Sequence, residues 1–135
     1  MRSILSRVFL VAGLLGVFAS VADGEAFRHL RLVRAEPAAD STVTVAPTEI
    51  RLFFSEEPVL LGTTIRVVGQ DEKALEMGTP AKDAKDGKIV RGALKVALAP
   101  GAYTVTWRTS ARDGHVVRGD FRFTYRAAKP THQAH

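Results

Sequence analysis

Short runs of alternating apolar and polar residues recur along most of the chain, with turn-forming residues between them. The clearest runs are TEIRLFFS at 48–55, YTVTWRT at 103–109 and FRFTYR at 121–126. Successive side chains of a β-strand point to opposite faces, so this alternation predicts strands with one buried face and one exposed face. After residue 26, no stretch has the helical period that is typical of an amphipathic helix.

Weaker runs extend this interpretation to the rest of the chain. Further strands are predicted over 29–34, 64–68 and 94–98, whereas 69–92 is rich in Lys, Asp, Gly and Ala and predicts a solvated loop with at most one short strand. About seven short strands with regular turns predict an all-β domain, an antiparallel sandwich or barrel. The residues expected to face the core are Ile50, Leu52, Phe54, Leu94, Val96, Leu98, Tyr103, Val105 and Trp107.

The N-terminal segment 1–26 has the pattern of a secretory signal peptide. Two arginines precede an apolar run from Val8 to Ala19, and small residues follow that run. The run is too short to cross a bilayer comfortably, so we expect no stable membrane insertion once the segment is removed. Cleavage is predicted after Ala22 or after Ala26.

Cleavage leaves an exported domain and a short tail. The domain is predicted over 27–126, and the tail over 127–135 is expected to be flexible because it has no core-forming pattern. The chain has no cysteine, so the domain must be held together by its hydrophobic core. The same absence excludes thiolate metal sites and a cysteine nucleophile.

Charge and motifs exclude several classes of function. The chain has 19 Lys and Arg against 14 Asp and Glu, but the basic residues do not cluster into a basic stripe with interleaved aromatics, so no nucleic-acid partner is expected. There is no glycine-rich phosphate loop, no G-x-S-x-G and no H-E-x-x-H. Glu56 and Glu57 are neighbours whose side chains should point apart on a strand, which is poor geometry for acid–base catalysis. We therefore do not predict a hydrolytic enzyme.

The stretch RDGH at 112–115 is the strongest candidate for chemistry. Asp-Gly is common in tight turns, and a histidine after such a turn is usually a surface residue. Asp113 and His115 can nevertheless converge on one side, and a carboxylate with an imidazole and no sulfur suits Cu(II) better than Zn(II). A third ligand must come from elsewhere, and His29 is the only other histidine in a segment that looks ordered. On this pattern alone, the turn is favoured over the metal site.

Three longer segments resemble the CopC/PcoC family of periplasmic copper-resistance proteins in order and spacing. They are HLRLVRAEPAADSTV at 29–43, IRLFFSEEPV at 50–59 and GAYTVTWRTSARDGHVVRGDFRFTY at 101–125. The resemblance implies a Greek-key β-sandwich or barrel of the cupredoxin-like or immunoglobulin-like kind. It also implies a periplasmic Cu(II)-binding protein, and as its partner an inner-membrane copper transport protein of the CopD type. We expect a monomer.

The resemblance also implies the ligands. Matched residue by residue, the family's copper ligands fall on His29, Asp113 and His115. Glu56 matches an acidic residue near that site, and its position equally suits a partner of the ligands or a solvent-facing strand end. Beyond the signal peptide the only methionine is Met77, so no Cu(I) thioether site is predicted.

His29 departs from the family in its distance from the new N-terminus. In the family the histidine is the first residue and binds copper through its α-amino and ring nitrogens. Cleavage after Ala26 would instead give Phe27-Arg28-His29, whose amine, two amides and imidazole form a square-planar nitrogen set for Cu(II) or Ni(II). Cleavage after Ala22 would leave His29 internal, with only its ring nitrogen to offer.

Three functions therefore stay open at the level of sequence. The first is a Cu(II)-binding protein that sequesters copper or delivers it. The second is a copper mono-oxygenase-like enzyme with a histidine-brace-type site, against which Asp113 argues because a carboxylate ligand occupies space that oxygen activation needs. The third is a metal-free immunoglobulin-like interaction module. This alternative stays open because neither predicted cleavage makes His29 the first residue.

Overall fold

A computed structural model describes residues 29–130 of the chain. The predicted signal peptide over 1–26, with both of its cleavage points, lies outside the described residues, and so does the tail from 131 onward. The described part of the tail has no regular secondary structure. In the described range, no helix is long and apolar enough to span a membrane.

The described chain is built from eight strands in two four-stranded sheets. Sheet A has the strand order β1-β3-β6-β5, and sheet B has the order β2-β8-β7-β4. Two separate sheets make the fold a β-sandwich, which confirms the all-β class. The strands are β1 (Leu32–Glu36), β2 (Ser41–Val43), β3 (Glu49–Phe54), β4 (Val59–Val68), β5 (Ala81–Lys82), β6 (Ile89–Ala93), β7 (Gly101–Ser110) and β8 (Val116–Tyr125).

The core lies between the two sheets and is supplied by the alternating runs of the sequence. Ile50 and Leu52 of β3 are fully buried, as is Val105 of β7. Phe54 meets Trp107 edge to face across the sandwich, with ring centroids 5.3 Å apart and an interplanar angle of 73°. The inward faces predicted for 48–55 and 103–109 are thus confirmed.

Strands β7 and β8 form a long hairpin that carries the RDGH stretch at its closed end. Ten residue pairs join the two strands, from Gly101 opposite Tyr125 to Ser110 opposite Val116. Trp107 pairs with Gly119, and a Cβ added to this glycine would lie 2.8 Å from the indole Cζ2. The indole therefore packs over a position where only glycine leaves room for it.

The prediction of a strand over 94–98 is wrong. Leu94 forms only an isolated bridge and Val96 is 41% exposed, although Leu98 is buried as expected. The strand near this point is β6, which overlaps the end of the segment 69–92; that segment is predicted to hold at most one short strand, and it also contains β5. Strand β6 has two inward positions: Val90 is fully buried, whereas Gly92 has no side chain, and Ile65 reaches to within 3.1 Å of where a Cβ of residue 92 would be. The apolar alternation of β6 is therefore interrupted at residue 92, where a side chain from β4 fills the space.

Four further details differ from the prediction. There are eight strands rather than about seven, and β2 pairs with β8 in parallel, so sheet B is mixed. The first strand begins at Leu32 rather than at residue 29. Strand β4 begins at Val59 rather than 64, and its pairing with β7 has a register shift between Val59 and Thr64, where Gly62 has a φ of 80°.

Candidate metal centre

A tight turn over 111–115 closes the β7–β8 hairpin. The backbone N–H of Ala111 donates to the carbonyl of His115 at 2.8 Å, and that of Gly114 donates to the carbonyl of Ala111 at 3.0 Å. Gly114 has a φ of 90°, a conformation that glycine adopts without strain. The Asp-Gly pair therefore shapes the turn, as its sequence indicates.

Within this turn, Asp113 accepts two hydrogen bonds from His115. Its Oδ1 accepts the backbone N–H of His115 at 3.0 Å, and its Oδ2 lies 2.7 Å from the ring Nδ1. The backbone hydrogen bond first, and the ring hydrogen bond second, hold the pKa of Asp113 below its usual value. Because Nδ1 is engaged, the ring nitrogen of His115 left for a ligand is Nε2.

His29 is held near this turn by Ser55, at the end of β3. The Ser55 hydroxyl donates to the carbonyl of His29 at 3.1 Å and accepts the backbone N–H of Arg31 at 3.0 Å. The backbone N–H of Ser55 donates to the carbonyl of Arg31 at 2.9 Å. These bonds fix the backbone around residue 29 beside β3, while the His29 residue itself stays exposed.

The predicted site residues meet at one pocket. A cavity of about 210 Å³ opens at this end of the sandwich, and all four residues singled out from the sequence line it. The sandwich brings together segments separated by more than 80 residues of sequence, because the residues that precede β1 and the β7–β8 turn lie at the same end of the sandwich. The lining residues are His29, Leu30, Glu56, Ala111, Arg112, Asp113, His115 and Val117.

The side chains around this pocket are not drawn together to metal-ligand distances. Among residues 29–130, no three His, Asp or Glu side chains stand close enough to hold a metal ion as they are. The side chains of Asp113 and His115 are 60% and 80% exposed, so both can change rotamer without disturbing the core. The pocket is therefore an open cluster of nitrogen and oxygen donors, and these donors fit Cu(II).

Charged neighbours surround the candidate ligands. The Arg112 guanidinium lies 3.5 Å from Glu57, and Glu57 also accepts a hydrogen bond from the Lys82 ammonium at 2.5 Å. The Lys82 bond holds the pKa of Glu57 below its usual value. Glu56, by contrast, lines the ligand pocket and has no hydrogen-bond partner in the part of the chain that the structure describes. Glu56 and Glu57 lie between β3 and β4 rather than on a strand as expected, but the two carboxylates do have different surroundings.

Two residues of this site were not singled out from the sequence. Ser55 secures the backbone of His29, and Arg112 brings a positive charge to the rim of the pocket. Ser55 lies inside the FFSEEPV segment, so the motif contained a signal for it, but its role depends on a partner 26 residues away. Arg112 has no such signal, because a surface arginine before a turn is common.

These observations define an all-β sandwich with a nitrogen and oxygen donor cluster at the closed end of one hairpin. The CopC domain model matches residues 32–126, which is more than half of the chain. The chain therefore belongs to the CopC domain family, and this confirms the resemblance seen in its three sequence segments.

Individual relatives agree with this assignment. Copper resistance protein C of Xanthomonas campestris pv. juglandis is 33% identical over 128 residues, which are 91% of this chain and 95% of that protein. The crystal structure of PcoC, a methionine-rich copper resistance protein from Escherichia coli, matches with a TM-score of 0.65 at 29% identity, over 73% of this chain and 99% of PcoC. The crystal structure of CopC from Methylosinus trichosporium OB3b matches with a TM-score of 0.69 at 26% identity, over 77% of this chain and all of that one.

Proposed function

We propose that this protein binds Cu(II) in the periplasm and sequesters it or passes it to a membrane transport protein, with no catalytic turnover. The observation that carries the proposal is the single pocket lined by His29, Asp113 and His115. Further support comes from relatives that are named copper resistance proteins. An export signal in the sequence supports the periplasmic location.

The donor atoms favour the oxidised form of copper. His115 offers Nε2, and the Asp113 carboxylate has lone pairs beyond the two that accept hydrogen bonds from His115. Imidazole nitrogen and carboxylate oxygen suit Cu(II), whereas Cu(I) prefers thiolate and thioether sulfur. The chain has no cysteine, and Met77 packs against the hydrophobic core rather than at the pocket.

His29 contributes differently according to where the mature chain begins. If His29 is the first residue, its α-amine and its ring can both bind the metal next to the hairpin ligands. If the chain begins at Phe27, the amine, two amide nitrogens and the ring form a competing nitrogen set. If it begins at Asp23, only the ring is available. Metal binding must displace protons from these nitrogens, so the three forms should differ in pH dependence.

The test starts with the mass of the secreted protein, which gives the N-terminus, and with cell fractionation, which gives its location. Cu(II) titration followed by electron paramagnetic resonance then compares that mature form with His115→Ala. The double variant His132→Ala/His135→Ala is the matched control, because it removes two histidines far along the sequence from the hairpin. We expect His115→Ala to lose affinity by at least about tenfold and to change the spectrum.

Two results would overturn the proposal. If His115→Ala binds Cu(II) with unchanged spectrum and affinity, the hairpin histidine is not a ligand. If the copper-loaded protein oxidises a polysaccharide in the presence of reductant and peroxide, the protein is an enzyme rather than a carrier. The control variant must retain the wild-type spectrum for either result to be interpreted.

A further inference from the structure

The outer face of sheet B gathers arginines that are far apart in the sequence. Arg108 of β7 lies directly opposite Arg118 of β8 and opposite Thr64 of β4. Arg66 lies two residues beyond Thr64 on the same face of β4, and Arg122 lies four residues beyond Arg118 on the same face of β8. All four arginines are exposed. We call the positions Arg66, Arg108, Arg118 and Arg122 the arginine face.

The arginine face has no ion pairs within the described part of the chain to neutralise it, although Asp120 lies on the same face of β8 between Arg118 and Arg122, and Glu72 lines a pocket with Arg66 and Arg122. Asp120 is the only acidic residue of β4, β7 or β8, and no ion pair among residues 29–130 includes Asp120 or any of the four arginines. Sheet A is different, because its arginines are paired with carboxylates of the same sheet and its loops. Those arginines are Arg34, Arg51 and Arg91.

The pairing of Arg108 with Arg118 is unfavourable in the isolated protein. Like charges directly opposite each other on an antiparallel pair repel and destabilise the sheet. Arg108 donates one hydrogen bond to the carbonyl of Gly62 at 3.2 Å, which orients its guanidinium over β4 without neutralising it. An external anion would remove this repulsion.

The arginine face borders an exposed apolar group at the end where the metal pocket lies. Val59 and Val116 flank Ser110 on opposite sides, and the two valines are 37% and 43% exposed. Leu61 is 88% exposed and comes just before Gly62, whose positive φ lies within the irregular segment of β4. Leu60 packs against the core, so the alternation of the strand turns Leu61 outward.

We propose that the outer face of sheet B docks the protein reversibly on a lipid bilayer that contains anionic phospholipids. The arginines extend roughly 13 Å along the strands and 10 Å across them, which is broad enough to meet several phosphate groups at once. The apolar end, with Leu61 foremost, would enter the boundary between headgroups and acyl chains.

A bilayer explains the arginine face and the exposed apolar residues beside it better than other anionic partners do. The aromatic side chains of the central strands, Trp107, Phe121 and Phe123, are buried, so the arginine face offers no stacking platform for a nucleic acid. An acidic protein could neutralise the arginines, but nothing in that chemistry requires an exposed leucine beside them. Docking would also bring the His115 turn near the membrane surface, where a transport protein could receive the metal.

The bilayer proposal is tested on the metal-free mature protein, so its outcome is independent of the proposed copper function. The measurement is co-sedimentation with vesicles of equal parts phosphatidylglycerol and phosphatidylethanolamine, compared with pure phosphatidylcholine vesicles. The variant Arg118→Gln/Arg122→Gln removes two charges from the arginine face. Its matched control, Lys85→Gln/Lys95→Gln, removes the same charge from loops outside sheet B.

We expect the wild type to bind the anionic vesicles, to ignore phosphatidylcholine and to detach in high salt. Each arginine should contribute about fivefold in affinity, so the double arginine variant should bind about 25-fold more weakly, while the lysine control binds like the wild type. Leu61→Ser should weaken binding by about tenfold. Thermal unfolding shows whether each variant is folded, and we expect it to be, since Arg118 and Arg122 make no side-chain hydrogen bond within 29–130.

The proposal is overturned if the wild type does not bind anionic vesicles, or if the arginine and lysine variants bind them equally. Binding to polyglutamate but not to vesicles, with the same dependence on the arginines, would assign this face to an acidic protein instead. Loss of copper binding with vesicle binding retained would reject only the copper function, and the reverse would reject only the docking surface.

Discussion

The carboxylate of Asp113 holds the imidazole of His115 in one orientation, because it lies 2.7 Å from Nδ1 and also accepts the backbone N–H of the same histidine at 3.0 Å. A carboxylate that accepts the second ring proton of a histidine fixes the tautomer and raises the basicity of the other nitrogen. This pair therefore prepares Nε2 of His115 for a metal, whether or not Asp113 also binds the metal itself.

Asp113→Asn should weaken Cu(II) binding by about 10- to 100-fold, because the amide lacks the charge that orients and polarises the imidazole. Isothermal titration with a competing chelator measures the affinity. Asp120→Asn is the control, since Asp120 is an exposed acid on β8 outside the pocket. Equal losses in the two variants would mean that only overall charge matters.

Gly119→Ala should destabilise the domain by about 1–3 kcal/mol, because the new methyl group would lie 2.8 Å from Cζ2 of the buried Trp107. Urea unfolding followed by tryptophan fluorescence gives the free energy of unfolding. Gly78→Ala is the control, since its new Cβ would meet the Cβ of Ala93 at an ordinary 3.5 Å. A Gly119→Ala domain as stable as the wild type would show that the indole can move aside at little cost.

Thr63→Val should cost about 1–3 kcal/mol of stability, because it breaks a buried pair of hydroxyls. The Thr63 hydroxyl donates to the carbonyl of Val59 at 2.8 Å and lies 2.7 Å from the hydroxyl of the fully buried Thr109. In the double variant with Thr109→Val, part of the loss should return, since no hydroxyl is then left without its partner.

The control for the threonine pair is Thr106→Val, on the exposed face of β7, which should change the free energy of unfolding by no more than about 0.5 kcal/mol. Chemical denaturation compares five proteins in parallel: the wild type, the single variants Thr63→Val and Thr109→Val, their double variant and the control. If the double variant loses as much as the sum of the two single variants, the hydroxyl pair does not act as a unit.

The domain should lose stability in acid, below the ordinary pKa of carboxyl groups. The pKa of Glu36 is lowered chiefly by the hydrogen bond from Arg34, and that of Asp83 chiefly by the backbone N–H of Lys85. In the acid range the unfolded chain then binds more protons than the folded one, so stability rises with pH there. The contribution of these groups is complete above the unfolded pKa of about 4 and is lost as the pH falls through the lower folded values.

Thermal unfolding between about pH 7 and about pH 3 measures this acid loss. Arg34→Gln should show a smaller decrease in melting temperature over that range, since it removes the strongest partner of Glu36. A wild-type melting temperature that stays level down to about pH 3 would contradict the expected contribution.

The sequence by itself determined the fold class and most of the core, because alternation is a local property that survives in the folded strands. It predicted the inward faces of β3 and β7 correctly, and it identified the Asp-Gly turn. It allowed at most one short strand within 69–92 and did not locate β6, where one of the two inward positions, Gly92, has no side chain and the space beside it is filled by Ile65 from another strand. A contact with a distant strand cannot be predicted from the residues that are adjacent in the sequence.

Only the tertiary structure decided which polar residues meet. His29, Glu56 and the RDGH turn come from three separate segments and share a pocket because the two sheets end at the same edge. The backbone bonds of Ser55 to residue 29, and the alignment of Arg108 opposite Arg118, depend on strand register. Register is set by turns and by burial over the whole sheet, so contacts between distant segments follow only when the strands are paired.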